Sequence, residues 1–314
     1  MTSKPRNLLL TLDAFETLFH PRPSVPEQYA SAAHHFGLPQ TAITPDRVRT
    51  AFKPVFQAQS AARPNYGRDD VLRNRYAGPR QWWAEIIRGT VLQALTTTTT
   101  TSSSSTSNTN NEKKIDLPDG LVDYLLDRFA SKDGYALYDD VNPFFSRMRT
   151  LKETTGRLGP FDRVLVGVVS NSDDRVPAVL KSLGLRVGDC RADEGVDSMR
   201  LSGFEERGAS SSSSSSSSDV VNDIDLVITS YEAGVEKPNP RIFEVAMRQA
   251  MALAGTAASG DWTCVHVGDD WEKDYQAAVG AGWEGYFLAR EADADGRNVV
   301  RSLVDLIPVL EAYR

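Results

Sequence analysis

Cysteine is nearly absent. The 314 residues carry two, Cys190 and Cys264, far apart and outside any C-x-x-C spacing. That excludes a disulfide framework and a thiolate metal knuckle, and leaves two ordinary thiols that suit a reducing compartment. Long apolar runs are missing too. No stretch approaches the roughly 20 apolar residues of a membrane-spanning helix, and the first strand pattern begins near Asn7, so no leader is expected before it. The expected location is cytoplasmic, with the nucleus left open. Basic charge is in deficit: a net charge of -7 and a pI near 5.3 oppose the basic stripe of a nucleic-acid binder. Neither nucleic acid nor membrane is expected as a partner, and the oligomeric state is left open. What is present is a composition 40% apolar and 25% charged, enough for one large or two modest domains with a sizeable core.

Two tracts interrupt the globular pattern. Residues 96–111 are almost pure Thr, Ser and Asn, and residues 202–223 contain an unbroken serine run from Ser210 to Ser218. Neither can bury enough apolar area to offset its ordering entropy, so both are expected to be mobile loops, tolerated as surface insertions. From about His20 to Asn142 apolar residues recur at three- and four-residue spacing, as in Tyr29, Ala32, Ala33 and Phe36, or Leu121, Tyr124, Leu125 and Phe129. This block is expected to be helical. The rest alternates helix-length amphipathic segments with short apolar runs at 7–12, 163–170, 224–230, 263–268 and 284–289. Such alternation predicts an α/β fold, a doubly wound parallel sheet covered on both faces. The expected division is a discontinuous core, 1–19 with 143–314, into which residues 20–142 are inserted.

Ligands of open α/β sheets bind at the carboxyl ends of the strands, where strand order reverses. Here the first strand runs through "LLLTLDAFETLF" to Asp13, the second ends in Ser170 and Asn171, the third leads to "GVEKPNPRIF" with Lys237, and the fourth ends in "HVGDDWEKD" with Asp269, Asp270 and Asp274. Carboxylates, a hydroxyl and a lysine gathered on one edge would be mutually costly unless neutralised. A hard divalent cation and a phosphoryl group would do so.

These four stretches, in this order, resemble the four motifs of the haloacid dehalogenase-like hydrolase superfamily, and residues 20–142 resemble its helical cap of the first type. The resemblance covers the chain except the two low-complexity tracts, and it implies a Rossmann-like core with the first and fourth strands side by side. It implies Asp13 as a nucleophile toward phosphorus, although an isolated strand-end Asp is more often a cap. It implies Asp269, Asp13 and the carbonyl of Phe15 as Mg²⁺ ligands, with Asp274 and Asp270 around them or holding Lys237. Asp270 is equally a solvated acid opening a helix. Ser170 and the amide of Asn171 are implied as phosphoryl-oxygen donors, and Lys237 as the neutralising cation.

Two positions depart from the family. Its phosphatases carry Asp-x-Asp-Gly-Thr, whereas here the second acid is Phe15 and the glycine is Glu16. That pattern is closer to the metal-independent dehalogenases, which lack the acidic fourth motif present here. Three functions follow as expectations: a Mg²⁺-dependent phosphatase of a small phosphorylated metabolite, slowed by the missing acid; a non-catalytic binder of a phosphorylated ligand or a protein; and a metal-independent dehalogenase-type hydrolase. His20, His34, His35 and His266 are expected to be structural. Trp82 and Trp83 are expected in the helical core, with at most one at a substrate entrance, and Tyr66 and Arg68 are weaker candidates for reaching the site.

Overall fold

The computed structural model describes residues 4–96, 116–192, 201–203, 221–255, 259–290, 296 and 298–313. The expected mobile loops at 96–111 and 202–223 lie mostly outside these residues. Strand β1 (Arg6–Leu12) and β2 (Phe19–Pro21) precede helices α1 (Val25–His35), α2 (Pro45–Ala62), α3 (Pro64–Leu72), α4 (Pro79–Thr96) and α5 (Leu121–Arg128). Strand β3 (Tyr135–Leu137) then returns antiparallel to β2, so the five helices leave and rejoin the core through one short ribbon. There follow α6 (Val141–Thr154), β4 (Arg163–Ser170), α7 (Val176–Ser182), β5 (Val187–Arg191), β6 (Ile224–Thr229), α8 (Ser230–Ala233), α9 (Arg241–Ala254) and β7 (Asp261–Gly268). A π-helical turn (Trp271–Gln276) runs into α10 (Ala277–Gly280), and β8 (Glu284–Leu288), β9 (Val299–Val300) and α11 (Leu303–Glu311) complete the described chain.

The main sheet is parallel, in the order β5-β6-β4-β1-β7-β8-β9. The expected doubly wound α/β core is therefore present. Period-two alternation explains why β1 reads as continuously apolar: Leu8, Leu10 and Leu12 enter the core on one face, and Leu9 enters the core on the other. All four leucines are fully buried, each contributing about 1.5–3 kcal/mol of transfer free energy. The first of these cores continues without a break into the helical block through Tyr29, Ala33, Val91 and Leu125. No described helix is long and apolar enough to cross a membrane.

Candidate active site

Residues Leu12 of β1 and Val267 of β7 are paired, and the Asp13 amide donates to the Val267 carbonyl at 2.9 Å. This last ladder bond fixes Asp13 where the two strands diverge. The register sets Asp13 opposite Gly268, and Asp269 is the next residue. A Cβ at Gly268 would collide with the Asp274 carboxylate, so only glycine lets that acid fold back beneath the strand end.

Lys237 crosses from the loop after α8 and is 3% exposed. Its Nζ donates to Asp13 Oδ1 at 2.8 Å, to Asp274 Oδ1 at 2.6 Å and to the Val169 carbonyl at 2.8 Å. All three ammonium protons are thereby used. The Asn171 side chain holds the lysine backbone from both sides: Nδ2 donates to the Lys237 carbonyl at 2.8 Å, and the Lys237 amide donates to Oδ1 at 2.7 Å. Ser170 is buried at the end of β4, beside Val169.

Asp274 is satisfied by the protein on both oxygens. Oδ2 accepts from the Asp270 amide at 2.9 Å, while Oδ1, besides Lys237, lies 3.3 Å from His266 Nε2. On the other side of the imidazole, His266 Nδ1 is 2.8 Å from Thr11 Oγ1. Asp269 Oδ1 accepts from Thr17 Oγ1 at 2.9 Å. Among the described residues, no hydrogen bond from another residue reaches the second oxygen of Asp13 or of Asp269, or the Phe15 carbonyl.

The electrostatics follow from burial and one cation. Burial pushes the Asp13 carboxyl up, more than Lys237 pulls it down. Burial, then the Asp13 charge, raises Asp269 to about 6. Burial also opposes ionisation of Asp274, but Lys237 and the His266 hydrogen bond outweigh it and hold that carboxyl well below its ordinary range. Burial lowers Lys237, yet Asp13 and Asp274 together raise it. Burial, then Lys237, pushes the His266 imidazole below its ordinary value.

Oxygens of Asp13, Asp269 and Asp274 approach within 4.8 Å of one another. When ionised, three carboxylates against one ammonium leave a surplus of two negative charges. An all-oxygen donor set with that surplus fits a hard divalent cation such as Mg²⁺. The carboxylate lone pairs left for it belong to Asp13 and Asp269, whereas Asp274 is already spent on Lys237, His266 and Asp270.

The other sequence candidates divide. Asp270 caps the π-helical turn, accepting from the Glu272 and Lys273 amides. His34 bonds the Ile43 carbonyl at 2.7 Å within the helical block, and His20 lies in β2 against Tyr138. His35 sits between the Phe36 and Tyr124 rings, also in that block. Trp82 is buried and donates to the Arg63 carbonyl at 3.0 Å, whereas Trp83 reaches across to Asp173 Oδ2 at 2.7 Å. Arg68 Nε donates to the Tyr231 carbonyl at 2.8 Å, and Tyr66 approaches the Asn171 carbonyl at 3.5 Å. These three tie the helices to the core without touching Asp13, Asp269 or Asp274. Thr17 and the inward role of His266 were not expected. Thr17 had a visible signal, since it stands where the Asp-x-Asp-Gly-Thr pattern has its threonine.

Phe15 does not mimic the acid it replaces. Its ring packs edge-on against Phe19 and Tyr135, with centroids 4.7 and 5.7 Å away. Glu16 adopts φ 56°, the left-handed conformation that a glycine would take without strain, and Tyr138 donates to its Oε2 at 2.6 Å.

The chain resembles known proteins along most of its length. The chain is 28% identical over 300 residues to haloacid dehalogenase-like hydrolase domain-containing protein 3 of Danio rerio, covering 94% of this chain and 92% of that one. The Mus musculus protein of the same name is 27% identical over 316 residues, with 96% and 93% covered. Among solved structures, a 2-haloacid dehalogenase from Pseudomonas syringae pv. Tomato aligns over 98% of both chains at 15% identity and a TM-score of 0.49. A HAD phosphatase from Thermococcus onnurineus aligns over 97% of both at 16% identity and a TM-score of 0.45. The family model described as haloacid dehalogenase-like hydrolase matches residues 9–282, which is most of the chain, and the protein belongs to that family.

Proposed function

We propose that the protein is a Mg²⁺-dependent phosphatase of a small phosphorylated metabolite, acting through an aspartyl-phosphate on Asp13. The observation that supports this most is Asp13 itself, held by Lys237 through one oxygen with the other left open. A carboxylate oxygen of Asp13 attacks phosphorus, the Asp13 O–P bond forms, the ester O–P bond breaks, and the departing alkoxide takes a proton from solvent to leave as the alcohol. Lys237, with all its protons engaged, acts as a fixed charge that orients Asp13 and offsets the phosphoryl oxygens. Asn171 keeps that charge in place, and Ser170 with the Asn171 amide, at the neighbouring strand end, would donate to a phosphoryl oxygen. Bound Mg²⁺, held by Asp13, Asp269 and the Phe15 carbonyl, would cancel the surplus negative charge and polarise the phosphoryl group. Water then attacks the aspartyl-phosphate, gives its proton to solvent and restores Asp13. The cap role of the helical block, residues 20–142, belongs to the same proposal.

No acid stands at position 15 to protonate the leaving oxygen. Such assistance contributes roughly 10²–10⁴-fold, so turnover is slow and slowest for poor leaving groups. The test is a panel of phosphate monoesters with and without Mg²⁺, on the wild type and on Asp13→Asn. Mg²⁺-dependent hydrolysis lost in Asp13→Asn supports the proposal, and hydrolysis that survives Asp13→Asn refutes it. Phe15 also favours a second reading, a binder of phosphorylated ligands. Saturable phosphate binding by calorimetry, with no ester hydrolysed, would establish it.

A further inference from the structure

A cavity of about 190 Å³ lies against the helical block, and Phe15, two residues from Asp13, is among the residues that line it. Phe52, Trp83, Leu126, Tyr29 and Tyr135 line it too. Among the lining residues the only charged group is Arg175, and its charge is already spent. Nε and Nη2 donate to the two oxygens of Asp173 at 2.8 and 2.9 Å, Nη1 donates to the Phe129 carbonyl at 3.3 Å, and the guanidinium lies 4.6 Å from the centre of the Trp83 ring. A charged ligand group would therefore enter without a counter-ion and lose its hydration.

Two polar atoms have no such occupation. Tyr29 is 1% exposed and Tyr135 8%, and among the described residues no hydrogen bond reaches either hydroxyl. Buried phenols ordinarily find a partner, so two idle donors on the wall of an apolar cavity mark places for a ligand's acceptors. Size narrows the ligand further. A dry apolar cavity of about 150 Å³ accommodates benzene, so this one holds a single ring with a small substituent. A sugar would bring more hydroxyls than two phenols can satisfy, each unpaired one a penalty.

We infer that this cavity seats the organic part of the substrate, an uncharged apolar group of about single-ring size with one or two hydrogen-bond acceptors. This rests on the phosphoryl-transfer proposal for Asp13. The test has a binding arm and a turnover arm. In the first, benzyl alcohol and glycerol are titrated by ligand-observed NMR: benzyl alcohol binds saturably and glycerol does not. Val25, half-buried at the start of α1, also lines the cavity, and Val25→Phe fills it and weakens benzyl alcohol at least about tenfold. Tyr29→Phe, which keeps the packing, weakens benzyl alcohol about threefold more than toluene. In the second arm, benzyl phosphate and glycerol phosphate both leave as primary alkoxides, so a difference in kcat/KM reports the cavity rather than leaving-group basicity. Benzyl phosphate is favoured by about 30-fold or more, and Val25→Phe removes the preference. Equal kcat/KM for the two esters, unmoved by either variant, overturns the cavity's role and leaves the reaction standing. Binding of benzyl alcohol that Val25→Phe removes, with no ester hydrolysed, upholds the cavity and refutes the reaction.

Discussion

Asp269→Asn isolates the charge that the site holds in surplus. In the metal-free protein burial and the Asp13 charge raise the Asp269 carboxyl from the ordinary 3.8 to about 6. Below pH 3.8 the folded and unfolded chains both carry this proton. Between 3.8 and about 6 only the folded chain does, so stability falls as pH rises through that window, and above about 6 the full penalty is present. A shift of about 2 pH units at ~1.4 kcal/mol each gives ~3 kcal/mol, and residual solvent contact reduces it to ~1–1.5 kcal/mol. Asparagine keeps an oxygen for the Thr17 hydroxyl and removes the charge. Domains of about 150–250 residues gain roughly 2–4 °C per kcal/mol, so in EDTA the variant melts ~2–6 °C above the wild type at pH 7.5 and level with it at pH 4. The assay is a pair of thermal melts at each pH. A difference independent of pH, or a variant that melts below the wild type at pH 7.5, would refute the electrostatic reasoning. Adding Mg²⁺ at pH 7.5 should reverse the order, because the cation stabilises the wild type through the ligand that the variant lacks.

Lys237→Met strips the counter-charge from two buried carboxylates and should cost about 3–5 kcal/mol in denaturant melts; near-wild-type stability would show that Asp13 and Asp274 do not depend on it. Glu16→Gly and Glu16→Ala both lose the Tyr138 hydrogen bond, but only glycine relieves the left-handed backbone, so Gly should exceed Ala in stability by ~1 kcal/mol. Equal stabilities would mean that position 16 is unstrained. Phe15→Asp combined with Glu16→Gly should raise turnover of alkyl phosphates at least about tenfold, provided circular dichroism shows a folded protein, and unchanged turnover by a folded variant would count against a missing general acid.

The residues of the candidate site were legible where chemistry sits at the end of a buried strand. Asp13 and Asp269 each follow a short apolar run, and parallel pairing of β1 with β7 brings them together. Lys237 was legible from its glycine and proline setting, but its three acceptors were not, because Val169 and Asp274 lie 68 and 37 residues away. The side-chain role of Asn171 was hidden for the same reason, since its clamp spans 66 residues. His266 alternates with Val265 and Val267 and so turns to the opposite face, where period two alone cannot say that Asp274 waits. Strands β5 and β9 of the main sheet were missed, as were the three-residue β2 and β3 beside the block expected to be helical. Val187 is the only buried residue of β5, an edge strand, and β9 has two residues, so neither leaves an apolar run. The cavity was foreshadowed only by the exchange of an acid for Phe15.

The account turns on a covalent phosphoryl group at Asp13. In a single-turnover experiment, the protein with Mg²⁺ is mixed with radiolabelled benzyl phosphate, quenched in acid and digested, and the peptides are separated. Because the missing acid slows release as well as attack, the label should accumulate on the peptide that contains Asp13 and decay in step with phosphate release, and Asp13→Asn should carry none. Hydrolysis of the ester with no label on that peptide at any time, or with the label unchanged in Asp13→Asn, would contradict it.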